Sequence, residues 1–423
     1  MLLALRRSRG IAGVDMTVLQ NRIAKMFWLL LDQGVFAVSN FVINILFARW
    51  LLPTEYGWWV MSFSLCGFLG TLHNSAVQEP VLVQAARIPK HQQRAYILAL
   101  FCIHLYLLIG AVGLAGLGWS AAMVMKQPDL GWAMVGGFIG AIIMLTNIIG
   151  RRLCFIFVSA RASTCVGVVY LVGSVLTAIV MHRLMPLWWF DIWLIIGGWS
   201  VFASIATFWL AHTRTVGDEP YSLSEVVAFC RHYAHWGLAA SVFSWMRYDG
   251  LFVMLAHFAG LAEVAETRAV FNIGSPLLQV NMVVQTSALV SFSADSRRGS
   301  KQNILYIVGG YGLAMLLTLP ILWYYSPWLV DLFYHGRYTN GAWQLPLYCL
   351  ALGMSLLDAI VSGVFKASGN LWRGYTSVFL TGICSLVLGM LLIPVQHSLI
   401  FVMTLTSAIG LFCALILRMN SRT

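Results

Sequence analysis

The sequence predicts an all-α polytopic membrane protein with about twelve transmembrane helices in two six-helix lobes. Of its 423 residues, 60% are hydrophobic and only 10% are charged. Soluble domains carry about a quarter charged residues, so this chain cannot bury its apolar surface in one water-soluble core. Stretches of about 20 apolar residues, the length that crosses a bilayer as a helix, recur along the whole chain.

We count twelve such spans by their apolar runs. They lie near residues 27–48, 57–79, 95–118, 130–150, 163–182, 187–211, 234–257, 269–291, 303–324, 342–365, 374–394 and 398–418. The loops between them are short, which disfavours an enzyme that needs a large catalytic loop.

Lys and Arg residues predict the orientation of the spans. With the N-terminus placed in the cytoplasm, inner segments hold roughly four times as many of them as outer segments, which predicts that both termini are cytoplasmic. The net charge of +11 is therefore interpreted as a topology signal, and no nucleic-acid partner is expected.

The widest gap between spans is residues 212–233, which predicts a cytoplasmic linker between an N-terminal lobe, 1–211, and a C-terminal lobe, 234–423. Ser222 and Glu225 have capping-box spacing, which predicts a short amphipathic helix within this linker. An offset of 208 residues places Ala48 on Ala256 and Glu55 on Glu263. The two halves are therefore predicted to be a parallel repeat with a site between them.

Several stretches resemble the polysaccharide flippases of the multidrug/oligosaccharidyl-lipid/polysaccharide exporter (MOP) superfamily. They are "LFARWLLPTEYGWW" from Leu46, "FNIGSPLLQVNMVVQ" from Phe271, "LFYHGRYTNGAWQLPLYCLALG" from Leu332 and "VFKASGNLWRGY" from Val364. The similarity follows the order of nearly the whole chain. Each stretch alone is loose, since most of its residues are apolar.

The resemblance implies two lobes around a central cavity and alternating access across the bacterial inner membrane. The implied substrate is an undecaprenyl-(pyro)phosphate-linked oligosaccharide, with membrane lipids, a polysaccharide polymerase and export machinery as partners and no cofactor. Arg373 could serve as the basic residue of the family's turn after the tenth span, although Trp372 crowds it. The chain lacks the charged signature of the lipid II flippases and has twelve spans instead of their usual fourteen, which disfavours a peptidoglycan precursor.

Polar residues inside spans are costly, so they mark a cavity or a contact between helices. In the first span they share one arc of about 140°, and in the eighth they share a narrower arc with Pro276, which predicts a kink. Cavity lining and interhelical hydrogen bonding both remain open. The residues are Asp32, Gln33, Ser39, Asn40 and Asn44 in the first span, and Asn272, Ser275, Gln279 and Thr286 in the eighth.

Arg247 and Asp249 lie near the middle of the seventh span, about 200° apart around a helix, so they are expected to face different neighbours. Arg247 is the first candidate to contact a phosphate, because guanidinium suits bidentate anion contact. The alternative is a buried ion pair with Asp249, Asp32 or Asp358. Arg151 and Arg152 are candidates to receive the head group on entry, or are plain topology markers.

Three carboxylates, Asp32, Asp249 and Asp358, are candidates for a proton or sodium site. His104 is flanked by apolar residues and is interpreted as a lone packing histidine. The eight cysteines form no CxxC pair, so no metal site is predicted. At the first outer turn, Pro53 and Gly57 supply the bend, and Arg49 and Glu55 are expected to pair.

Two other functions stay open. A cation-coupled multidrug antiporter of the same superfamily would favour a carboxylate-dominated cavity, so Arg247 counts against it. A membrane-embedded glycan polymerase or glycosyltransferase would need paired carboxylates or a long outer loop, and neither is present.

Overall fold

The computed structural model describes residues 16–85, 88–217, 219–294, 301–368 and 370–420, and these parts are almost entirely helical. The α-helices are α1 (Met16–Trp50), α2 (Pro53–His73), α3 (Glu79–Ala85), α4 (Gln93–Val124), α5 (Pro128–Val135), α6 (Ala141–Phe157), α7 (Ala160–Leu184), α8 (Asp191–Arg214), α9 (Leu223–Arg247), α10 (Asp249–Ala259), α11 (Leu261–Ala294), α12 (Lys301–Tyr334), α13 (Gln344–Ala367), α14 (Leu371–Gln396) and α15 (Ile400–Met419). Two π-helical turns, Asn74–Gln78 and Gly136–Gly140, join α2 to α3 and α5 to α6.

Helices that follow one another without a loop combine into about twelve spans, which confirms the predicted fold class. Within the described residues, eight are long and apolar enough to cross a membrane by themselves, namely α4, α5–α6, α7, α8, α12, α13, α14 and α15. Most helices extend beyond the predicted bounds. The apolar run marks only the part suited to hydrocarbon, whereas helical hydrogen bonding continues into the polar flanks.

The other four spans, α1, α2–α3, α9–α10 and α11, are the first and second spans of each half. They make most of the packing between the halves, chiefly α2 against α9, α10 and α11, and α1 against α11. Because so much of their surface faces protein, they can carry polar residues that lipid-facing helices cannot. Pro53 and Leu261, the first residues of α2 and α11, are 208 residues apart, the offset of the predicted repeat.

The predicted short helix of the linker is not a separate element. The hydroxyl of Ser222 accepts a hydrogen bond from the backbone N–H of Ser224 at 3.2 Å, and α9 then runs from Leu223 to Arg247 without a break. The amphipathic segment is therefore the first part of the seventh span. Its polar residues belong to helical turns that precede the apolar part.

The predicted pairing of Arg49 with Glu55 is wrong. Glu55 accepts a hydrogen bond from the backbone N–H of Leu52 at 3.2 Å, while Arg49 donates to the carbonyl of Leu332 at 3.0 Å. The orphan N–H at the start of α2 attracts the carboxylate. Arg49 is left to reach the second half of the chain.

Candidate functional site

The seventh span is interrupted in its middle. Tyr248, with φ −122° and ψ −82°, separates Arg247 at the end of α9 from Asp249 at the start of α10. The interruption directs the two charged side chains to different partners, the divergence that their spacing predicts. Asp249 lies 3.8 Å from Arg268 of α11, whereas Arg247 turns toward α13 and α15.

Arg247 is the centre of a buried polar cluster. Its Nη1 lies 3.2 Å from Oδ2 of Asp358, and both side chains are about 95% buried. Its Nη2 donates to the hydroxyls of Ser355 at 2.9 Å and Ser407 at 3.4 Å. Ser362 donates to the other carboxylate oxygen of Asp358 at 3.3 Å. The ion-pair alternative for Arg247 is thus present, with Asp358 as the partner.

A polar cavity of about 250 Å³ opens beside this cluster. Its walls come from α9, α11, α13 and α14, so it lies within the second half and not between the halves as the repeat predicted. Two cationic side chains face one carboxylate there, among amides and hydroxyls. The charged and polar lining residues are Ser244, Arg247, Asn281, Gln285, Ser355, Asp358, Ser362, Lys366 and Ser377.

The first half contains a matching ion pair with the charges exchanged. Asp32 of α1 lies 2.8 Å from Arg151 of α6, which also donates to the carbonyl of Asp32 at 2.9 Å. Ser163 of α7 donates to the Asp32 carboxylate at 3.0 Å. In this half the first span carries the acid and the fourth carries the arginine. In the second half the arginine is on the seventh span and the acid on the tenth.

All three candidate ion-coupling carboxylates therefore lie beside an arginine. Asp32 pairs with Arg151, Asp358 with Arg247, and Asp249 faces Arg268. Arg151, a candidate for receiving the head group, has its guanidinium committed to Asp32.

The predicted polar arcs of the first and eighth spans meet at Tyr56. Asn272 donates to the Tyr56 hydroxyl at 2.8 Å, and Tyr56 in turn donates to Oδ1 of Asn44 at 3.5 Å. Trp59 donates to the same Asn44 oxygen at 3.2 Å. Asn44 and Asn272 are thus interhelical hydrogen-bonding residues that join the two halves, the alternative that the sequence left open.

Two further members of those arcs do not join this network through their side chains. The carbonyl of half-buried Asn40 accepts from the Asn44 amide at 2.8 Å, and Gln279 is half-buried outside the lining of the polar cavity. The side chains of Gln33 and Thr286 lie outside the described residues.

Sequence reasoning missed the four serines of the cavity and also Asn281, Gln285 and Lys366. Asn281 and Gln285 are four residues apart, a spacing that places them on one face of α11. That face lies about 180° from Asn272, so α11 has two polar sides, one toward each half. Their spacing was the signal that could have identified them.

His104 is a buried packing histidine, as the sequence indicates, but it is not a lone one. Its Nε2 lies 3.0 Å from Nε2 of His73, and both rings are buried. Half-buried Arg152, one residue after Arg151, acts electrostatically on His73 and is not among the residues that line the polar cavity.

An apolar cavity of about 200 Å³ adjoins the polar one. It lies between α11, α12 and α13 and is lined by Leu277, Tyr311, Ala314, Met315, Thr318, Leu319, Leu322, Cys349 and Leu350. The hydroxyl of Tyr311 lies 3.5 Å from Oδ1 of Asn281, so this pair bridges the two cavities. A polar space and an apolar space thus share a wall made of α11 and α13.

Neither a protein-family model nor a curated protein sequence matches this chain. Solved structures do match over nearly all of its length, and they show its fold. The chain has the fold of the transporters of the MOP superfamily.

Three of these structures illustrate the likeness. The lipid II flippase MurJ, in an inward closed conformation, has a TM-score of 0.66 and 11% identity over 94% of this chain and 88% of its own. A MOP superfamily transporter from Pyrococcus furiosus has a TM-score of 0.63 and 11% identity over 94% of each chain. An outward-facing multidrug transporter of the MATE family has a TM-score of 0.60 and 13% identity over 93% of each chain.

Proposed function

We propose that this protein moves lipid-linked oligosaccharide repeat units across the bacterial inner membrane by alternating access. The observation that carries the proposal is the pair of adjoining cavities, one polar with excess positive charge and one apolar. A substrate with an anionic sugar head and a long hydrocarbon chain needs both kinds of surface side by side. The proposed carrier is undecaprenyl phosphate or pyrophosphate.

The polar cavity supplies groups for the head. Arg247 and Lys366 offset phosphate charge, with the planar guanidinium suited to bidentate contact. Asn281, Gln285 and the lining serines supply donors and acceptors for sugar hydroxyls. The volume of about 250 Å³ is below the range of roughly 300–1,000 Å³ typical of pockets for drug-sized ligands. A whole repeat unit therefore requires this cavity to widen by movement of the helices of the second half, with the described state holding the phosphate end.

The apolar cavity supplies a surface for the chain. Its position between α11, α12 and α13 lets a prenyl tail leave the head-group site without crossing a polar wall. The large apolar side chains of α12, such as Leu313 and Leu316, are more than half exposed, which suits a helix bathed in lipid. Membrane lipids and the proposed substrate tail then occupy the same environment.

The structural neighbours support the proposal in kind. MurJ is a lipid II flippase by name, and its fold matches over 94% of this chain. The multidrug transporters share the fold as well, so the antiporter is the alternative to be tested. Both termini in the cytoplasm, and a polysaccharide polymerase and export machinery as partners, belong to the same proposal.

The test is a search for trapped undecaprenyl-linked oligosaccharide in a deletion strain, by mass spectrometry of inner-membrane lipids. Complementation uses Lys366→Gln, which removes cavity charge, and Ala314→Trp, which fills the apolar cavity. The matched controls are Lys90→Gln, an exposed lysine elsewhere, and Leu313→Trp, on the lipid-exposed side of the same helix.

We expect the intermediate to accumulate in the deletion strain and to be cleared by wild type and both controls. Lys366→Gln and Ala314→Trp should each clear it several-fold more slowly. If nothing accumulates and sensitivity to cationic drugs rises instead, the antiporter replaces the flippase. If the intermediate accumulates but both cavity variants clear it normally, the function stands and the assigned site is wrong.

A further inference from the structure

Two buried histidines of the first half form a hydrogen-bonded chain of side chains. Nε2 of His73, at the end of α2, lies 3.0 Å from Nε2 of His104 on α4. Nδ1 of His104 lies 2.8 Å from the carbonyl oxygen of Leu100. Nδ1 of His73 lies 3.0 Å from the amide nitrogen of Gln78. His73, Gln78 and His104 are 6%, 3% and 2% exposed, so every ring nitrogen has its partner within the protein.

The carbonyl of Leu100, at one end of this series of hydrogen bonds, determines which nitrogens of the two rings carry protons. A carbonyl oxygen only accepts, so His104 must carry its proton on Nδ1 and present a lone pair at Nε2. His73 then donates from Nε2 to that lone pair, and in its neutral form has a bare Nδ1. The amide of Gln78 donates to this Nδ1. In the neutral pair every ring nitrogen has a hydrogen-bond partner. The lone pair of His73 Nδ1, which faces Gln78, is the position that a further proton can take.

We propose that His73 and His104 form a binding site for one proton, with Gln78 as its switch. The proton binds the lone pair of His73 Nδ1, and the Gln78 amide rotates so that its oxygen accepts the new N–H. The bond from His73 to His104 is kept. A second proton would place two N–H groups against each other across 3.0 Å, so the pair takes one. The inference goes beyond the proposed function, since a flippase or an antiporter could use this site.

Charged groups near the pair come from two other elements. Arg152 of α6 faces His73, and Glu79 of α3 acts on Arg152 in turn. Asn74 donates to the Glu79 carboxylate at 2.8 Å, which holds that acid at the start of α3. Burial of the ring and the positive charge of Arg152 both oppose a proton on His73, so the protonated state depends on the bond that Gln78 offers to it.

The site adjoins a contact between the halves. Gln78 and Ser75 belong to the same π-helical turn, Asn74–Gln78, a feature often found at functional positions. The Ser75 hydroxyl lies 2.7 Å from that of Ser241 on α9, and Ser241 also lies 3.0 Å from the carbonyl of Thr71. The charge that His73 gains acts on Gln78, which belongs to the same turn as Ser75. Proton binding is therefore linked to the contact between α2 and α9.

The first experiment is a ¹⁵N NMR titration of histidine-labelled protein in lipid bilayers, in which neutral and protonated rings have distinct shifts. His73→Gln and His104→Gln assign the two rings among the 10 histidines. As pH falls through and then below the range in which exposed histidines change charge, we expect His73 to become imidazolium while His104 stays neutral. No substrate is needed, so the result is independent of what the protein carries.

Variants of Gln78 test the switch. Gln78→Leu removes the acceptor of the new N–H and should lower the titration midpoint by about one pH unit, whereas Gln78→Glu should raise it. Gln84→Leu is the matched control, since Gln84 is a buried amide of α3 that bonds to Tyr221 at 2.8 Å. Two rings that both stay neutral, or that both become imidazolium, would overturn the one-proton site.

The link to the lobe contact is tested by hydrogen exchange of residues 68–78 and 235–245. After correction for intrinsic rates, exchange in wild type should differ severalfold between the two ends of the titration. His73→Gln should abolish that difference. If wild type shows none, the coupling to α9 is refuted even where the proton site stands.

Discussion

Arg49 and Arg337 each bind the backbone of the other's segment. Arg49 donates to the carbonyls of Leu332 at 3.0 Å and of Phe333, at the end of α12. Arg337 donates to the carbonyls of Arg49 at 2.7 Å and Leu51 at 3.0 Å, at the end of α1. This reciprocal clasp joins the two halves at the end of the bundle that the sequence predicts to be outer.

We predict that Arg49→Ala and Arg337→Ala each weaken closure at this end. An intramolecular hydrogen bond contributes about 1 kcal/mol net, which corresponds to about a fivefold change in the ratio of closed to open molecules. Hydrogen exchange of residues 47–57 and 330–340 should rise accordingly. Arg183→Ala is the control, because it removes an exposed arginine from the same predicted face. Unchanged exchange in both clasp variants would show that the contact carries no closing energy.

The clasp should be insensitive to pH across the physiological range. Tyr338 donates to the carbonyl of Ala48 at 3.1 Å, and burial raises the pKa of its hydroxyl to about 12. A group whose folded pKa is raised stabilises the folded state below its ordinary pKa and loses that contribution as pH rises through the folded value. Closure measured by exchange should therefore be constant from pH 6 to about pH 9 and weaken only between about pH 10 and 12.

Gly57 allows the two turns of this end to meet. A β-carbon at Gly57 would collide with the carbonyl oxygen of Leu261, the first residue of α11. We expect Gly57→Ala to lower thermal stability or to force the halves apart, as measured by unfolding in detergent. Gly34→Ala, in the open on α1, should instead be neutral or stabilising by about 0.5–1 kcal/mol. Equal melting temperatures for the two variants would contradict this reading of the contact.

The ion pair of the first half gives a further prediction. Asp32→Ala leaves the Arg151 guanidinium buried without its carboxylate, which should cost about 3–5 kcal/mol of stability. The double variant Asp32→Leu, Arg151→Met removes both charges and should recover most of that loss. Transport by the double variant decides the role of the pair, because activity near wild type means it only holds α1 to α6. Loss of transport in a stable double variant assigns Asp32 or Arg151 to function.

The same comparison in the second half separates folding from binding at Arg247. The double variant Arg247→Met, Asp358→Leu should fold with near-normal stability, since neither charge is left unpaired. It should nevertheless fail to clear the lipid-linked intermediate, because the cavity has lost its guanidinium. A stable double variant with normal clearance would exclude Arg247 from substrate contact.

Most of the fold could be predicted from the sequence, because the length of an apolar run can be counted without knowing what the segment packs against. Apolar runs located the spans, and the offset between the halves agrees with the start residues of α2 and α11. The divergence of Arg247 and Asp249 was predicted from a continuous helix, whereas in the structure it arises at the interruption at Tyr248. The linker helix was misjudged because a capping signal at Ser222 marks where a helix begins and says nothing about where it ends.

The site was harder to predict because its contacts join distant parts of the chain. His73 and His104 are 31 residues apart, and Arg247 and Asp358 are 111 apart. Nothing in the period of a single helix shows which neighbour it will have. Asn44 and Asn272 looked like cavity residues for the same reason, since a polar arc toward a partner helix and one toward water have the same spacing.

The exchanged ion pairs have a consequence for how the membrane potential acts on the protein. Moving one elementary charge through 100 mV changes the free energy by about 2.3 kcal/mol. The pairs of Asp32 with Arg151 and of Asp358 with Arg247 each sum to zero, so a rocking lobe moves no net gating charge through them. These two buried ion pairs therefore contribute no net charge movement to a change of conformation. Under the proposed function and the proposed proton site, current measured during transport would therefore report the phosphate of the cargo, the proton on the histidines and any movement of Lys366.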